Sequence, residues 1–106
     1  MKKYIINYED GAKNDILNII DYIEKEYKDS YNAKKVVARI IKRCEALAYF
    51  PKGFPVHRGW SLKRELRAVH INGYTIIYYI DDKKMIVNIR AVVNSCRDIV
   101  SVLKNK

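Results

Sequence analysis

The hydrophobic period changes near residue 50, and this change constrains the fold more than any other feature of the chain. Between residues 9 and 50 the apolar residues recur at helical spacing, whereas after residue 62 they alternate or cluster as in strands. Both prolines and two of the four glycines lie in the segment between these regions. We therefore expect a helical half followed by a β-rich half.

The first half predicts a short strand, Lys2–Tyr8, and two amphipathic helices, Glu9–Tyr27 and Ala33–Phe50. Ser30 or Asn32 is the expected N-cap of the second helix, and the first proline ends that helix. Because the link between the helices is short, an antiparallel helical hairpin is expected. The outer face of the second helix carries five cations: Lys34, Lys35, Arg39, Lys42 and Arg43.

The second half predicts three strands: Lys63–Ile71, Tyr74–Ile80 and Met85–Val93. Asn72-Gly73 is a strong hairpin signal because both residues tolerate positive φ. Asp81–Lys84 forms the next turn, and the segment from residue 97 onward is either a short helix or a frayed tail.

These elements predict an α+β fold of order β-α-α-β-β-β. Strands joined by hairpins pair antiparallel, so we expect an antiparallel sheet, covered on one face by the helical hairpin that must bury its apolar stripe. The length of 106 residues predicts a single domain spanning residues 1–106.

The net charge and the cysteine spacing limit which kinds of partner and site the sequence predicts. Lys and Arg number 21 against 12 Asp and Glu, a net charge of +9 that favours polyanionic partners, although a Lys-rich proteome also gives basic proteins. No signal peptide or membrane span is apparent, so we expect a cytoplasmic protein that does not bind membranes. Cys44 and Cys96 show no metal spacing, and Cys44 is expected in the core. We expect no metal and no cofactor.

Nearly the whole chain resembles the RelE/ParE superfamily of toxins from bacterial type II toxin–antitoxin systems. The resemblance rests on a combination of residues in the family's order: Ala12, Asp15, Leu47-x-x-Phe50-Pro51, Arg67, Gly73-Tyr74-x-Ile76-x-Tyr78 and Arg97-Asp98.

The resemblance implies a toxin that a small, often acidic antitoxin holds inactive. ParE-like members poison DNA gyrase, whereas RelE-like members cleave mRNA in the ribosomal A site. The long helix pair slightly favours the ParE-like activity, and a RelE-like, ribosome-dependent endonuclease is the alternative. A member that binds only its antitoxin is a third possibility.

Cleavage of RNA through its 2′-hydroxyl needs a base, an acid and a group that stabilises the charged phosphorane. Arg67 and Arg90 are the candidates for charge stabilisation, since strand pairing is expected to bring them to neighbouring positions. His70, or else His57, is the candidate acid or base. We expect Arg67 to matter more for toxicity than for folding.

Two departures from the nuclease pattern predict poor ribonuclease activity. RelE-like nucleases are similar in this region but carry an Arg directly after the Gly-Tyr pair, where this chain has Thr75. Many relatives carry a His or Tyr where this chain has Asn94, which cannot shuttle protons.

The remaining candidate residues would contact a nucleic acid or another target, although each cation taken singly is more typical of a solvated surface. They are Lys52, His57, Arg58, Lys63, Arg64, Tyr74, Asn94 and Arg97. Tyr78 and Tyr79 are expected to pack within the sheet, and Trp60 is either a contact residue or a lid over the core edge.

Overall fold

The computed structural model describes residues 3–95 and 99–104. Its elements follow the predicted order, with a short final helix. They are β1 Ile5–Tyr8, α1 Asp10–Tyr27, α2 Ser30–Ala46, a 3₁₀ turn Pro51–Gly53, β2 Arg67–Ile71, β3 Tyr74–Asp81, β4 Ile86–Asn94 and α3 Ile99–Lys104. The α+β fold with its helical hairpin is therefore confirmed.

The four strands form one sheet in the order β1-β4-β3-β2. β2, β3 and β4 pair antiparallel through hairpins, as predicted. β1 pairs parallel with β4, because the helical hairpin carries the chain across the sheet before β2 begins. The sheet is mixed rather than wholly antiparallel, and this is the one correction to the predicted architecture.

Side chains alternate between the two faces of the sheet, and each face has its own core. The covered face packs against α1 and α2, with Tyr78, Ile76 and Ile89 at its centre. The second face carries a smaller cluster in which Ile77 and Ala91 pack against α3. The covered face therefore holds most of the core, while the second face is only partly sheltered.

The predicted boundaries of α2 and β2 shift for local reasons. The N-cap of α2 is Asp29 rather than Ser30 or Asn32, and its carboxylate accepts the Asn32 N–H at 3.0 Å. α2 ends at Ala46, and Phe50 leaves the helical region with φ −139° because the residue before a proline disfavours the α conformation.

β2 begins at Arg67 rather than at Lys63. The Ser61 hydroxyl accepts the backbone N–H groups of Lys63 and Arg64 at 3.2 and 3.3 Å, which holds this segment in a turn. Leu66 directly precedes β2 in the sequence, and its carbonyl accepts the His57 N–H at 2.8 Å.

A β-bulge in β4 changes the register of that strand at Arg90. Tyr78 pairs with Ile89 while Ile77 pairs with Ala91, so Arg90 is the extra residue between them. Asp15 of α1 accepts the Val92 N–H at 2.9 Å just beyond the bulge. This contact joins the first helix to the bulged strand.

Candidate anion-binding surface

The basic residues singled out in the sequence come mainly from the loop between residues 51 and 66. Two grooves of about 250 and 320 Å³ meet at Lys63 and Arg64, which line both. The first groove is also lined by Trp60 and Arg90, and the second is also lined by Lys52 and Arg67. The loop and the second face of the sheet thus form one continuous, largely cationic surface.

Arg67 and Arg90 are not neighbours. Arg67 pairs with Tyr78, whose side chain lies in the covered face, whereas Arg90 lies across the intervening strand on the second face. The expectation that strand pairing would bring these two guanidinium groups together is therefore not met.

Arg67 holds the loop against the sheet. Its guanidinium donates to the carbonyl oxygens of Phe54 and, at 3.3 Å, of Lys52. The buried Tyr78 hydroxyl donates to the Pro51 carbonyl beside them, and burial raises the pKa of Tyr78 to about 12. Arg67 therefore has a structural role in addition to any contact it makes with a target.

Arg90 belongs to a network centred on Glu9, the residue that precedes α1. The Glu9 carboxylate accepts a bond from Arg90 at 3.3 Å and another from the Tyr79 hydroxyl. Arg64 stacks on Tyr79, with its guanidinium carbon 4.3 Å from the centre of the ring. Burial and the bond to Glu9 raise the pKa of Tyr79.

Lys52 forms an exposed ion pair at the rim of the surface. Its ammonium lies 3.1 Å from Asp82, which also accepts a bond from the Tyr4 hydroxyl at 2.9 Å. The bond from Lys52, together with the weaker effect of the bond from Tyr4, lowers the pKa of Asp82, and Asp82 raises the pKa of both partners.

The loop also presents an aromatic platform. The rings of His57 and Trp60 stack with centroids 4.0 Å apart and an angle of 7° between their planes. Arg58 lies between them in sequence and is exposed. Trp60 packs on the edge of the second core, which is one of its two predicted roles. It also lines a groove, and its role as a contact residue stays a prediction.

His70 lies apart from the loop cations, on the second face near the β2–β3 turn. Its Nδ1 lies 2.8 Å from the Thr75 hydroxyl, which in turn lies 2.8 Å from the Ser95 hydroxyl. Thr75 is fully buried, whereas His70 and Ser95 are exposed. This chain of polar side chains ties β2, β3 and the end of β4 together.

Tyr74 and Asn94 are opposite each other on β3 and β4 and line a third groove of about 530 Å³. Asp15 and Tyr22 of α1 form another part of its wall. Burial raises the pKa of Tyr74. The remaining candidate, Arg97, falls outside the described residues.

A model of the ParE toxin of type II toxin–antitoxin systems matches residues 6–99. The chain belongs to the ParE toxin family. The match includes the whole helical hairpin, β2 to β4 and all of β1 except its first residue. The RelE/ParE resemblance seen in the sequence is therefore confirmed, and the chain is a type II toxin.

Solved structures share the fold of this ParE-family toxin. A chain of the chromosomal ParDE system from P. aeruginosa has a TM-score of 0.72 at 12% identity, covering 89% of this chain and 98% of the other. A chain of a RelBE toxin–antitoxin complex from Mycobacterium tuberculosis has a TM-score of 0.64 at 18% identity, with coverage of 89% and 93%.

A variant of the E. coli toxin RelE in its free state has a TM-score of 0.62 at 16% identity, covering 94% of this chain and 92% of that one. Comparison with curated protein sequences found no significant match. At these identities the structural likeness establishes the shared fold and leaves the ParE-like or RelE-like activity to be argued from the site.

The main residue of this surface that sequence reasoning missed in this ParE-family toxin is Glu9, which accepts bonds from Arg90 and Tyr79. A signal existed, since an acid directly after β1 is placed where the parallel pairing with β4 brings it near Arg90. The sequence position of Glu9 indicates its partner only once the parallel pairing of β1 with β4 is known. Asp82 lies in the predicted β3–β4 turn and likewise shows no partner in the sequence alone.

The described residues offer two further negative findings. Among residues 3–95 and 99–104, no group of three or more His, Cys, Asp and Glu side chains is placed to hold a metal ion. None of the helices in these ranges is long and apolar enough to cross a membrane. Cys44 is fully buried in the core, as predicted, and burial raises its pKa to about 12.

Proposed function

We propose that this toxin inhibits growth by binding DNA gyrase, rather than by cleaving RNA, and that a cognate antitoxin holds it inactive. The observation that carries the proposal is the separation of Arg67 from Arg90, each of which already has internal partners. Membership of the ParE family supports gyrase as the target. Such a toxin acts in the cytoplasm.

Phosphoryl chemistry on RNA needs its charge-stabilising cation, acid and base at one point. Arg67 bonds two loop carbonyls and Arg90 bonds Glu9, and β3 lies between their strands. His70, the candidate acid, bonds Thr75 near the other end of β3. Because these groups are dispersed, the geometry supports a surface that binds better than it catalyses.

The cationic loop is the best candidate for the target contact. Lys63 and Arg64 are exposed, sit at the junction of two grooves, and lie beside the Trp60 ring. The residues that contribute most to binding at protein interfaces are enriched in Trp, Tyr and Arg. Asp and Glu side chains on a target would be recognised by charge-assisted hydrogen bonds.

The antitoxin is proposed as an acidic segment that folds on the toxin. The net charge of +9 favours such a partner, and a disordered segment can wrap a large surface. Two of the solved structures similar to this chain come from a ParDE system and a RelBE complex. Co-purification with the product of an adjacent gene tests this part of the proposal, and a stable, harmless toxin with no such partner would oppose it.

One observation favours the RelE-like alternative. The exposed His70 ring is fixed by the buried Thr75 hydroxyl, and a positioned imidazole is a common acid or base. An endonuclease acting on mRNA in the ribosome would use it together with one arginine. The discriminating assay therefore includes both targets.

The experiment measures DNA supercoiling by gyrase and mRNA cleavage on programmed ribosomes with the same purified toxin. We expect gyrase inhibition and little cleavage. Lys63→Gln/Arg64→Gln should weaken inhibition by about tenfold or more, since loss of a charge-assisted bond exceeds the 1.4 kcal/mol of one decade. Lys83→Gln/Lys84→Gln, in the exposed β3–β4 turn, is the control with the same charge change.

The outcomes separate the two candidates. Rapid mRNA cleavage that is lost in His70→Ala, with gyrase unaffected, would replace the proposal by its alternative. Equal weakening by the loop pair and the turn pair would show that net charge alone, and not the loop, determines inhibition.

A further inference from the structure

The outer face of α2 is a second cationic surface that the proposed function does not use. Its five cations, Lys34, Lys35, Arg39, Lys42 and Arg43, are all exposed. Between Ser30 and Cys44 the helix contains no Asp or Glu. Among the described residues, the ion pairs join Lys25 to Asp21, Lys52 to Asp82 and Arg90 to Glu9, so no carboxylate pairs with an α2 cation.

The cations are arranged as a stripe. At about 100° per residue, Lys35, Arg39 and Lys42 fall within about 60° of one another around the helix axis. They lie roughly opposite the buried stripe that includes Val37 and Cys44. This part of α2 therefore points away from the sheet, and Lys34 and Arg43 flank it on either side.

The neighbouring helix has the opposite charge. α1 carries five acids and two lysines, whereas α2 carries five Lys and Arg and one Glu. That one acid, Glu45, is the penultimate residue of α2 and accepts a bond from the Tyr8 hydroxyl at 2.9 Å. The hairpin thus presents an acidic ridge beside a basic ridge, which would confine a polyanion to α2.

We infer that the α2 stripe binds the phosphate backbone of duplex DNA. The rise from Lys35 to Lys42 is about 10.5 Å at 1.5 Å per residue. Three phosphate steps along one strand of DNA cover about 10.2 Å of axis. The length and the unmixed charge of the stripe suit a regular row of phosphates better than a protein surface, where acids and bases alternate.

A membrane surface is a poorer match for this helix. An amphipathic helix that binds a bilayer inserts its apolar face, but the apolar stripe of α2 is already buried against the sheet. The inference extends the proposed function, because DNA contact would hold the toxin where gyrase works. The inference can also be tested apart from the proposed function. Arg43 at the flank of the stripe lies over the Phe54 ring of the loop, but the variants of Lys35, Arg39 and Lys42 change no loop residue.

The test measures binding of the free toxin to a labelled 20-base-pair DNA duplex by fluorescence anisotropy, without gyrase, across a salt series. The test variant is Lys35→Gln/Arg39→Gln/Lys42→Gln. Gln preserves helix propensity closely, so α2 should remain folded, and circular dichroism checks this. The control variant, Lys13→Gln/Lys83→Gln/Lys84→Gln, removes the same number of exposed positive charges elsewhere.

We expect the wild type and the control to bind with a steep salt dependence. The α2 variant should bind at least tenfold more weakly, and the slope of log K against log salt should fall by roughly 3, since each lost phosphate contact removes about 0.9. Equal weakening of both variants, an unchanged slope, or tighter binding of a matched RNA duplex would overturn the inference. Loss of DNA binding with gyrase inhibition intact would leave the inference standing and show that the toxin does not need DNA to inhibit.

Discussion

At the scale of single residues, the cations of this toxin differ in the hydrogen-bond and ion-pair partners that they have within the chain. Arg67 holds two loop carbonyls, Arg90 bonds Glu9, and Lys52 pairs with Asp82. A cation engaged by an internal partner must give up that partner before it can bind a target. The exposed loop cations, such as Lys63, are therefore better placed for contact than the strand arginines that the sequence favoured.

Arg67→Ala should destabilise the fold. It removes the donor to the Phe54 and Lys52 carbonyls, and hydrogen bonds from a charged group contribute about 1.5–3 kcal/mol. Urea denaturation measures the change, with Arg58→Ala as the exposed control, expected within about 0.5 kcal/mol of the wild type. Equal stability of the two variants would contradict the structural role of Arg67.

The Asp82 ion pair predicts a defined pH window. The folded pKa of Asp82 is lowered, so its contribution is present above its ordinary value of 3.8 and is lost as pH falls through the folded value. The folded pKa of Lys52 is raised, so that contribution is present below its ordinary value of 10.5 and is lost as pH rises through the folded value.

Thermal melts of wild type and Asp82→Asn should therefore differ most between about pH 4 and pH 10, and the difference should shrink outside this range. Because Asp82, Lys52 and Tyr4 are exposed or partly exposed, 1 M salt should reduce the difference in melting temperature between the two proteins. A difference that persists unchanged at pH 2 would show that Asp82 acts through something other than its charge.

At the scale of elements, the turns and links depend on backbone chemistry that the sequence displays. Asn72 and Gly73 have φ values of +49° and +80°, as their hairpin requires. Asp29 caps the start of α2, and Pro51 begins the 3₁₀ turn after that helix has ended. The exception is the bulge at Arg90, which depends on pairing between strands and on Asp15 of α1.

Gly73→Ala should weaken the β2–β3 hairpin. A Cβ at this position meets no atom within 4 Å, so the expected cost of about 1–2 kcal/mol comes from the positive φ alone. Gly53→Ala is the matched control, since its Cβ also meets no atom within 4 Å and its φ is not in the left-handed region. Denaturant midpoints should fall for the first variant and stay or rise for the second.

At the scale of the whole molecule, the net charge of +9 is distributed unevenly. α1 is acidic, α2 is basic, and a second basic region surrounds the loop between residues 51 and 66. A protein with two cationic surfaces can hold two partners, and the two proposals assign gyrase to the loop and DNA to α2. The total charge by itself indicates polyanionic partners but does not indicate where on the protein surface they bind.

The sequence by itself determined the elements and their order, because hydrophobic period, caps and turn residues act over a few neighbouring positions. It also determined the family, through residues spread along the chain in a fixed order. The Cys44 and Tyr78 core positions came from the same local patterns.

Only the tertiary structure decided which side chains meet. The parallel pairing of β1 with β4 joins residues about eighty positions apart, and it places Glu9 beside Arg90. The bulge and the position of β3 separate Arg67 from Arg90, although strand pairing was expected to bring them to neighbouring positions. Contacts of this range depend on strand order and register, which are set by the packing of the whole sheet against its helices and not by any short stretch of sequence.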